Sequence, residues 1–344
     1  MEPVRIAVIG AGLSGLICAR ALAAAGLEVR VFDKGRGVSG RMSLRRIPGN
    51  SAHPDLQFDH GAQYFTARSS AFREQVQDWI TRGVVSPWEG PFVTLTRGQC
   101  GPDPGNGDVR YVGVPGMNAI CKDLSLGLDV QCGVRVTGLS RGGGHWRVAA
   151  ERVQTARELV LEEEFAAIVC TLPAPQAVEL LPEGICFREE LSAVQLGPCW
   201  CGMVSFAQDI PVAFSAGFVQ ESPLRWIARE RSKPGRPRAP DNWVLHASPD
   251  WSRQMLSRSP EQIASALLAA FSAALGRPLP EPIQYSQHRW MYALPVSPLA
   301  AGCLVDPGLG LIACGDWSAG DRVEGAFQAG QAAAEAVRGL FLGG

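Results

Sequence analysis

The residues best suited to chemistry lie near the amino terminus, where three glycines follow a short apolar run. Residues 6–9 are Ile-Ala-Val-Ile, and glycines stand at positions 10, 12 and 15. Such a run predicts a strand buried on both faces of a parallel sheet. Gly10 would allow a tight turn, Gly12 would let a pyrophosphate approach the backbone, and Gly15 would let the next helix pack closely on the strand. This spacing predicts a site for the diphosphate of a dinucleotide.

A second predicted strand and its final acid strengthen this interpretation. Residues 29–33 read Val-Arg-Val-Phe-Asp, and Asp33 ends the run. At this distance from the glycines, a carboxylate accepts hydrogen bonds from an adenosine ribose. Because strand, turn, helix, strand and acid follow one another in order, the signal is much stronger than that of the glycines alone.

The end of the chain carries a second glycine-rich segment. Residues 310–317 read Gly-Leu-Ile-Ala-Cys-Gly-Asp-Trp, and a helix of small residues is predicted from about Glu324. A protein that binds NAD alone does not need the end of its chain to come back to the cofactor. An extended FAD, in contrast, requires contacts at its middle and at its flavin end. Asp316 could bond a ribityl hydroxyl, and the positive end of the helix could face the flavin edge that becomes negative on reduction. We predict FAD; a Gly-Asp turn before an ordinary helix is the alternative.

Composition sets broad limits on the function. The chain has 344 residues, a formal net charge of −1, ten scattered cysteines and five histidines. Its length predicts two domains, and its charge gives no general attraction to nucleic acid or to acidic membranes. Without a Cys-x-x-Cys pair or clustered histidines, we expect free thiols, no metal site and a cytoplasmic location. No stretch has the uninterrupted apolar length of a membrane span.

The order of the patterns predicts an α/β protein with two domains. A Rossmann-like FAD-binding domain is expected to be discontinuous and to hold residues 1–70, 108–175 and 299–344. A mixed-sheet substrate domain is expected to hold residues 71–107 and 176–298.

Shorter patterns predict individual elements within these domains. Alternating segments between residues 128 and 165 predict a meander of strands. Ser259 and Gln262 form a capping-box pattern, with Pro260 at the first helical position, and predict the start of a helix. Residues 283–295 predict a strand.

Taken together, the motifs resemble the flavin-containing amine oxidase superfamily and, within it, the bacterial renalase family, over nearly the whole chain. The superfamily pattern comprises the three amino-terminal glycines, Gly40-Arg41, Gly315-Asp316 and Glu324-Gly325-Ala326. The renalase pattern comprises residues 59–68, 231–234 and 288–293. Ser39 departs from the superfamily, which usually has glycine there, but Arg41 stays available to the pyrophosphate. The resemblance implies a fold of the amine oxidase or p-hydroxybenzoate hydroxylase type.

The same resemblance implies oxidation of aberrant dihydronicotinamide dinucleotides. These isomers of NAD(P)H carry the extra hydride at ring position 2, or at position 6, instead of position 4. The hydride would pass to flavin N5 and release NAD(P)+, and dioxygen would take the electrons and give hydrogen peroxide. Because a dihydropyridine is already electron-rich, we expect no catalytic residue beyond the flavin. A monomer or a homodimer is expected.

The residues expected to bind FAD non-covalently come from both glycine-rich segments and from the chain between them. They are Gly10, Ala11, Gly12, Leu13, Gly15, Asp33, Lys34, Gly40, Arg41, Gln63, Tyr64, Val136, Asp316, Val323 and Gly325. The residues expected to line the substrate pocket are Tyr64, Thr66, Trp200, His246, Trp290 and Arg322. A core position is the alternative for the two tryptophans, and a satisfied buried histidine is the alternative for His246.

Arg322 distinguishes this chain from amine oxidases. Two residues before Glu-Gly-Ala, those enzymes place one wall of an aromatic cage, and Arg322 stands at that position here. A guanidinium repels an ammonium but attracts a phosphate or a carboxamide oxygen. Amine oxidases also commonly hold a lysine near flavin N5, whereas this chain has only three lysines, at positions 34, 122 and 233. A salt bridge from Arg322 to Asp321 or Glu324 is the alternative.

The basic residues between 225 and 238 are expected to form a solvated loop. Binding of the substrate diphosphate is the second interpretation, and nucleic-acid binding is a distant third.

Two further functions stay open for the chain as a whole. One is a flavin oxidase or desaturase that acts on an amine or another small substrate, and the other is a protein that binds FAD or a nucleotide without turnover.

Overall fold

A computed structural model describes residues 4–49 and 54–343 of the chain. The strands are, in chain order, β1 (Arg5–Ile9), β2 (Glu28–Asp33), β3 (Arg45–Ile47), β4 (Leu56–Phe58), β5 (Val85–Pro87), β6 (Phe92–Thr96), β7 (Gln99–Gly101), β8 (Tyr111–Gly113), β9 (Asp129–Cys132), β10 (Val134–Gly142), β11 (His145–Arg152), β12 (Arg157–Leu159), β13 (Ala167–Cys170), β14 (Leu196–Phe206), β15 (Ala216–Gln220), β16 (Leu224–Arg229), β17 (Asp241–Ala247), β18 (Pro282–Pro295), β19 (Leu304–Asp306) and β20 (Leu311–Ala313). The helices are α1 (Leu13–Ala24), α2 (Ser70–Thr81), α3 (Ala119–Ser125), α4 (Ala174–Leu180), α5 (Arg188–Ala193), α6 (Pro249–Gln254), α7 (Pro260–Leu275), α8 (Asp316–Ala319) and α9 (Val323–Phe341).

The first large sheet is mostly parallel and has the order β19-β20-β13-β1-β2-β9. Its central strand β1 pairs in parallel with β2 and β13, and the apolar side chains of Ile6 and Val8 are fully buried. Because both faces of β1 are buried, its sequence is continuously apolar. Helices α1 and α9 share one apolar core on this sheet. The predicted α/β class and Rossmann-like unit are confirmed.

The second large sheet is mostly antiparallel and has the order β18-β14-β17-β16-β15-β6-β7. Helix α7 packs on one of its faces, where Phe271 contacts Trp243. The predicted capping box starts this helix: Ser259 Oγ accepts from the Gln262 N–H, and Gln262 Oε1 accepts from the Ser259 N–H. This helix therefore covers one face of the sheet and leaves the other face free to build a site.

The predicted meander between residues 128 and 165 is wrong at both ends. Strand β9 does not pair with β10 but joins the parallel sheet next to β2. Residues 160–165 contribute one isolated bridge, from Phe165 to Trp146, rather than a strand. Only β10, β11 and β12 form the expected antiparallel sheet. A four-residue strand carries too little pattern to reveal whether its partner is local or distant.

The two large sheets draw on different parts of the chain. Residues 5–33, 129–132, 167–170 and 304–313 supply the parallel sheet, and residues 92–101 and 196–295 supply the antiparallel one. We keep the predicted division into FAD-binding and substrate domains as a proposal; residues 1–3, 50–53 and 344 of that division lie outside the described residues. Among the described helices, none combines the length and apolar character needed to cross a bilayer.

Candidate functional site

One large cavity lies at the carboxyl ends of the parallel strands β1, β2 and β13. Its volume is about 2060 Å3, roughly twice the upper end of the range of about 300–1,000 Å3 that holds for most small-molecule pockets. The β1–α1 turn, residues 34–46 and 60–66, strand β18 and the start of α9 supply much of its wall. Open parallel sheets bind ligands outside the carboxyl ends of their strands. This position and this volume suit a dinucleotide together with a second ligand.

The turn between β1 and α1 presents bare backbone to the cavity. A Cβ atom added at Gly12 would meet no atom within 4 Å, so the backbone is open on that side. A Cβ atom added at Gly15 would overlap the carbonyl oxygen of Gly10, so Gly15 permits the close packing of α1. Helix α1 has no side-chain cap and no acid in its first turn. Its first N–H groups are therefore available to a diphosphate.

Asp33 lies beside this turn at the end of β2. Its Oδ2 accepts from the Ala11 N–H at 2.7 Å, and its Oδ1 accepts from the Gly35 N–H at 2.6 Å. Because a carboxylate offers about four lone-pair positions, Asp33 can still accept from two ribose hydroxyls. The backbone of the turn thus fixes the acid that the sequence predicts for the adenosine end.

Arg41 and Asp316, predicted to bind different parts of FAD, form an ion pair with each other. The two guanidinium-to-carboxylate distances are 2.7 and 2.8 Å. Arg41 follows β2 and Asp316 follows β20, and both strands end at the same edge of the parallel sheet. The pair therefore joins the two glycine-rich segments in one place.

Most residues predicted to bind FAD line this cavity. They are Gly10, Gly12, Leu13, Asp33, Lys34, Gly40, Arg41, Gln63, Tyr64, Val136, Asp316 and Val323. Ala11, Gly15 and Gly325 are not part of the lining. Ala11 orients Asp33, and a Cβ atom at Gly325 would lie 2.6 Å from the Gly320 carbonyl oxygen. These three residues shape the backbone behind the site.

Gln63 connects the cavity wall to four charged residues that we call the buried ion cluster: Asp59, Glu230, Lys233 and Arg236. The side chains of the cluster are at most 2% exposed. Lys233 Nζ donates to Glu230 Oε1 at 2.7 Å, to Gln63 Oε1 at 3.2 Å and to Asp59 Oδ2 at 3.3 Å. The Gln63 amide N–H group donates to the Asp59 carbonyl. Both ends of the Gln63 amide are therefore held from behind the wall.

The charges of the buried ion cluster balance. Burial alone would raise the pKa of Asp59, but Lys233 and Arg236 outweigh burial and lower it. At Glu230, burial raises the pKa more than Lys233 lowers it. Met117 N–H also donates to Asp59, at 2.9 Å. The cluster ties residues 59–63 firmly to the segment after β16.

The prediction that residues 225–238 form a solvated loop is wrong. Residues 224–229 form strand β16, and Lys233 and Arg236 are buried in the ion cluster. Arg229 forms a buried two-point ion pair with Asp241, at 2.6 and 2.7 Å. The sequence could not show these partners because Asp59 and Gly113, which accept from Arg236, lie more than 100 positions away.

One row of side chains crosses five strands of the antiparallel sheet and faces the cavity. Direct cross-strand pairs place these residues side by side, in the order Phe218, Trp226, His246, Cys201 and His288. Paired residues in a ladder project from the same face of a sheet. All of them except Cys201 line the cavity. We call them the cavity row.

The row explains which predicted pocket residues reach the cavity. His246 and Trp290 do, and Trp200 does not. Trp200 precedes Cys201 on β14, so its side chain projects from the opposite face, where it joins the core under α7. The prediction for Trp200 is therefore wrong, and the core alternative holds.

Tyr64, Thr66 and Arg322 also line the cavity. The ring of Tyr64 lies 5.3 Å from that of Trp226 and the same distance from the Arg110 guanidinium. Arg322 is more than half exposed, and its Nε lies 3.5 Å from Asp321 Oδ1. This is one of the two ion pairs considered as alternatives, and it leaves Arg322 on the cavity wall.

Several lining residues carry no signal in the sequence patterns described above. Phe218, Trp226, Arg110 and His60 all contribute to the wall. The apolar residues Leu224, Trp226, Ile227 and Ala228 could have revealed β16, but the neighbouring Arg225 and Arg229 are more typical of a solvated loop. Nothing in the local sequence marks Arg110, whose position depends on a two-point ion pair with Asp103 at 2.7 and 2.8 Å.

The histidines of the site are neutral at physiological pH. Burial lowers the pKa of His246 to about 3 and that of His60 to about 4. Burial also lowers the pKa of His288. A neutral imidazole has one donor and one acceptor nitrogen, so the site offers hydrogen bonds here rather than extra positive charge.

All ten cysteines are free thiols. Burial raises the pKa of several, including Cys199 to about 12, which keeps them protonated. Within residues 4–49 and 54–343, no group of three or more His, Cys, Asp or Glu could hold a metal ion.

Comparison with known proteins agrees with this geometry. The family described as NAD(P)-binding Rossmann-like domain matches residues 8–80, and the family described as flavin containing amine oxidoreductase matches residues 103–338. A solved structure described as a protoporphyrinogen oxidase from Exiguobacterium sp. 255-15 is similar, with a TM-score of 0.76 and 13% identity over 97% of this chain and 98% of that one. A putrescine oxidase bound to putrescine has a TM-score of 0.69 and 14% identity over 97% and 99%.

At these identities the solved structures establish only the fold. The match to the flavin containing amine oxidoreductase family covers more than half of the chain and establishes the family. The open glycine turn, the Asp33 carboxylate at the end of β2 and the Arg41–Asp316 pair fit an extended FAD. The chain therefore belongs to the flavin-containing amine oxidoreductase family and is a flavin-dependent oxidoreductase with non-covalently bound FAD as its cofactor.

Proposed function

We propose that the chain oxidises aberrant dihydronicotinamide dinucleotides that carry the extra hydride at ring position 2, or at position 6. The substrate gives up a hydride, and thus two electrons, and leaves as NAD(P)+. A bound flavin would supply a two-electron acceptor for that hydride and, with one proton, a donor of two electrons and two protons to dioxygen. The sum is dihydro-NAD(P), dioxygen and one proton giving NAD(P)+ and hydrogen peroxide. The protein supplies binding and orientation.

The observation that carries this proposal is the charge of the cavity wall. Among the described lining residues, twelve are lysine or arginine and five are aspartate or glutamate, although the whole chain has a formal net charge of −1. A concave surface with this excess attracts polyanions and repels cations. The cofactor diphosphate neutralises only part of this excess positive charge. The remainder suits a second dinucleotide and disfavours a protonated amine.

The aromatic side chains on the cavity wall also support a substrate with a flat ring. The cavity row and Tyr64 offer aromatic faces, which favour stacking of a planar ring. The histidines here are neutral, so the wall presents no strong acid, and a dihydropyridine needs none. Orientation at reactive distance is then the main contribution of these side chains.

An amine substrate is the alternative, and membership of the amine oxidoreductase family favours it. The positions of the lysines count against it. Lys233 Nζ already has three oxygen partners behind Gln63, and Lys34 lies beside Asp33. Arg322, rather than an aromatic residue, stands before α9.

Anaerobic single-turnover mixing tests the proposal directly. Flavin-loaded oxidised enzyme is mixed with the position-2 isomer, the position-6 isomer, ordinary NAD(P)H or a diamine, and the visible flavin absorbance is followed. We expect rapid bleaching by one or both isomers and slow or no bleaching by the diamine. Bleaching by the diamine alone would establish the amine alternative. Stable flavin with every candidate would favour a protein that binds FAD without turnover.

A further inference from the structure

His246 is fixed in one place and one orientation by the fold. It stands near the end of β17, between Trp226 and Cys201 in the cavity row. Its Nε2 lies 3.2 Å from the carbonyl oxygen of His60. The same oxygen accepts from Trp290 Nε1 at 2.9 Å. Two wall residues are thus anchored to a single backbone acceptor.

This anchor determines the tautomer of the ring. A carbonyl oxygen can only accept, so His246 Nε2 must carry a proton and donate it. Burial, with smaller contributions from nearby Arg225, Lys233 and His60, lowers the pKa of His246 to about 3, so the ring carries only one proton at neutral pH. Nδ1 is therefore an acceptor. No hydrogen bond among the described residues uses it.

Acceptors are the minority among the charged groups of this wall. The charged groups of the described lining are predominantly lysine and arginine, which only donate. A substrate phosphate or carbonyl oxygen can choose among many donors, whereas a substrate N–H group needs an acceptor. A neutral imidazole nitrogen satisfies an N–H group, but it repels the lone pairs of a carboxylate or a ketone.

We infer that His246 is a specificity-determining residue whose Nδ1 accepts a hydrogen bond from the carboxamide N–H of the substrate's pyridine ring. The inference rests on the proposed function, because only that proposal supplies a nicotinamide. The inference also predicts which ligands the site selects. The site should prefer a carboxamide to a methyl ketone of the same size and shape, which has no N–H to donate.

Binding of oxidised dinucleotides tests this selectivity without turnover. Flavin-loaded oxidised enzyme is titrated with NAD+ and with its 3-acetylpyridine analogue, and perturbation of the flavin absorbance gives both dissociation constants. For the wild type we expect the carboxamide to bind about three- to tenfold more tightly, the worth of one neutral hydrogen bond. In His246→Phe this ratio should fall to about 1. His246→Leu serves the same purpose if the phenylalanine variant does not fold.

Trp290→Phe is the matched control. It removes the other donor to the His60 carbonyl but leaves His246 Nδ1 in place, so the preference for the carboxamide should persist even if both affinities fall. Equal binding of the two ligands by the wild type, or a preference that survives in the His246 variants, would overturn the inference and leave the proposed function intact. No binding of either dinucleotide would overturn both.

Discussion

At the scale of single residues, Arg322 tests the interpretation of the cavity charge. Its guanidinium lies on the wall just before α9 and has one long contact, to Asp321 at 3.5 Å. Arg322→Ala should weaken binding of the dinucleotide substrate about three- to tenfold, a modest effect because the side chain is more than half exposed. FAD affinity should stay unchanged. Steady-state KM and a flavin titration measure the two effects.

Arg238→Ala is a suitable control for this prediction, because Arg238 is exposed and outside the cavity wall. It removes the same charge from the chain without touching the site. If both variants keep the wild-type KM, Arg322 does not contact the substrate.

Lys233 gives a second prediction at the same scale. Its ammonium donates to the buried carboxylates of Asp59 and Glu230 and to the amide oxygen of Gln63, and supplies one of the two positive charges of the buried ion cluster. Lys233→Met leaves buried negative charge without its partner, so the free energy of unfolding should fall by about 3–5 kcal/mol. Denaturant unfolding of the flavin-loaded protein measures the change.

Arg73→Met is the control, since Arg73 is exposed on α2 and outside the cavity wall, so this replacement should cost less than about 0.5 kcal/mol. Similar losses in the two variants would show that the buried ion cluster does not stabilise the fold in the way described.

At the scale of an element, the β1–α1 turn separates cofactor binding from packing. Gly12→Ala adds a methyl group into open space on the cavity side, so it should leave the stability of the cofactor-free protein unchanged but weaken FAD binding at least about tenfold. Gly15→Ala adds the methyl group against the Gly10 carbonyl and should cost about 1–3 kcal/mol of stability. Thermal unfolding without FAD and flavin titration distinguish the two variants.

Reversal of this pattern would contradict the assignment of the turn. If Gly15→Ala left the stability unchanged while Gly12→Ala lowered it, α1 would not lie against the turn as described.

At the scale of the whole molecule, the buried histidines make stability depend on pH. The unfolded chain binds protons at histidine near pH 6.5. Burial lowers the pKa of His60 to about 4 and that of His246 to about 3 in the folded protein. The unfolded state therefore binds more protons below pH 6.5, and stability falls with pH in that range. Each residue should account for a loss of about 1 kcal/mol between pH 7.5 and 5.5.

Chemical unfolding at the two pH values tests this expectation. His246→Phe should show a loss smaller by about 1 kcal/mol than that of the wild type. The same replacement at exposed His145 should not alter the loss. Equal pH dependence in all three proteins would show that His246 does not stay neutral on folding.

The sequence alone located much of the cavity wall that we expect to hold the cofactor. Gly12, Asp33 and Asp316 line the cavity as predicted, because they stand at backbone turns and strand ends, which short local patterns encode. The capping box at Ser259 was identifiable for the same reason: both of its hydrogen bonds lie within four residues. The resemblance to the flavin family rested on the glycine-rich local patterns, and the family match over residues 103–338 confirms membership.

Only the tertiary structure decided which side chains of the antiparallel sheet are neighbours on the cavity wall. Trp226, His246 and Cys201 become neighbours through strand pairing, and Trp200 faces the opposite side because adjacent residues of a strand alternate between faces. Lys233 finds its partners in residues far away along the chain. Local patterns fix how a segment folds, whereas register and long-range charge pairing depend on which segments meet, and that depends on the energy of the whole packed molecule.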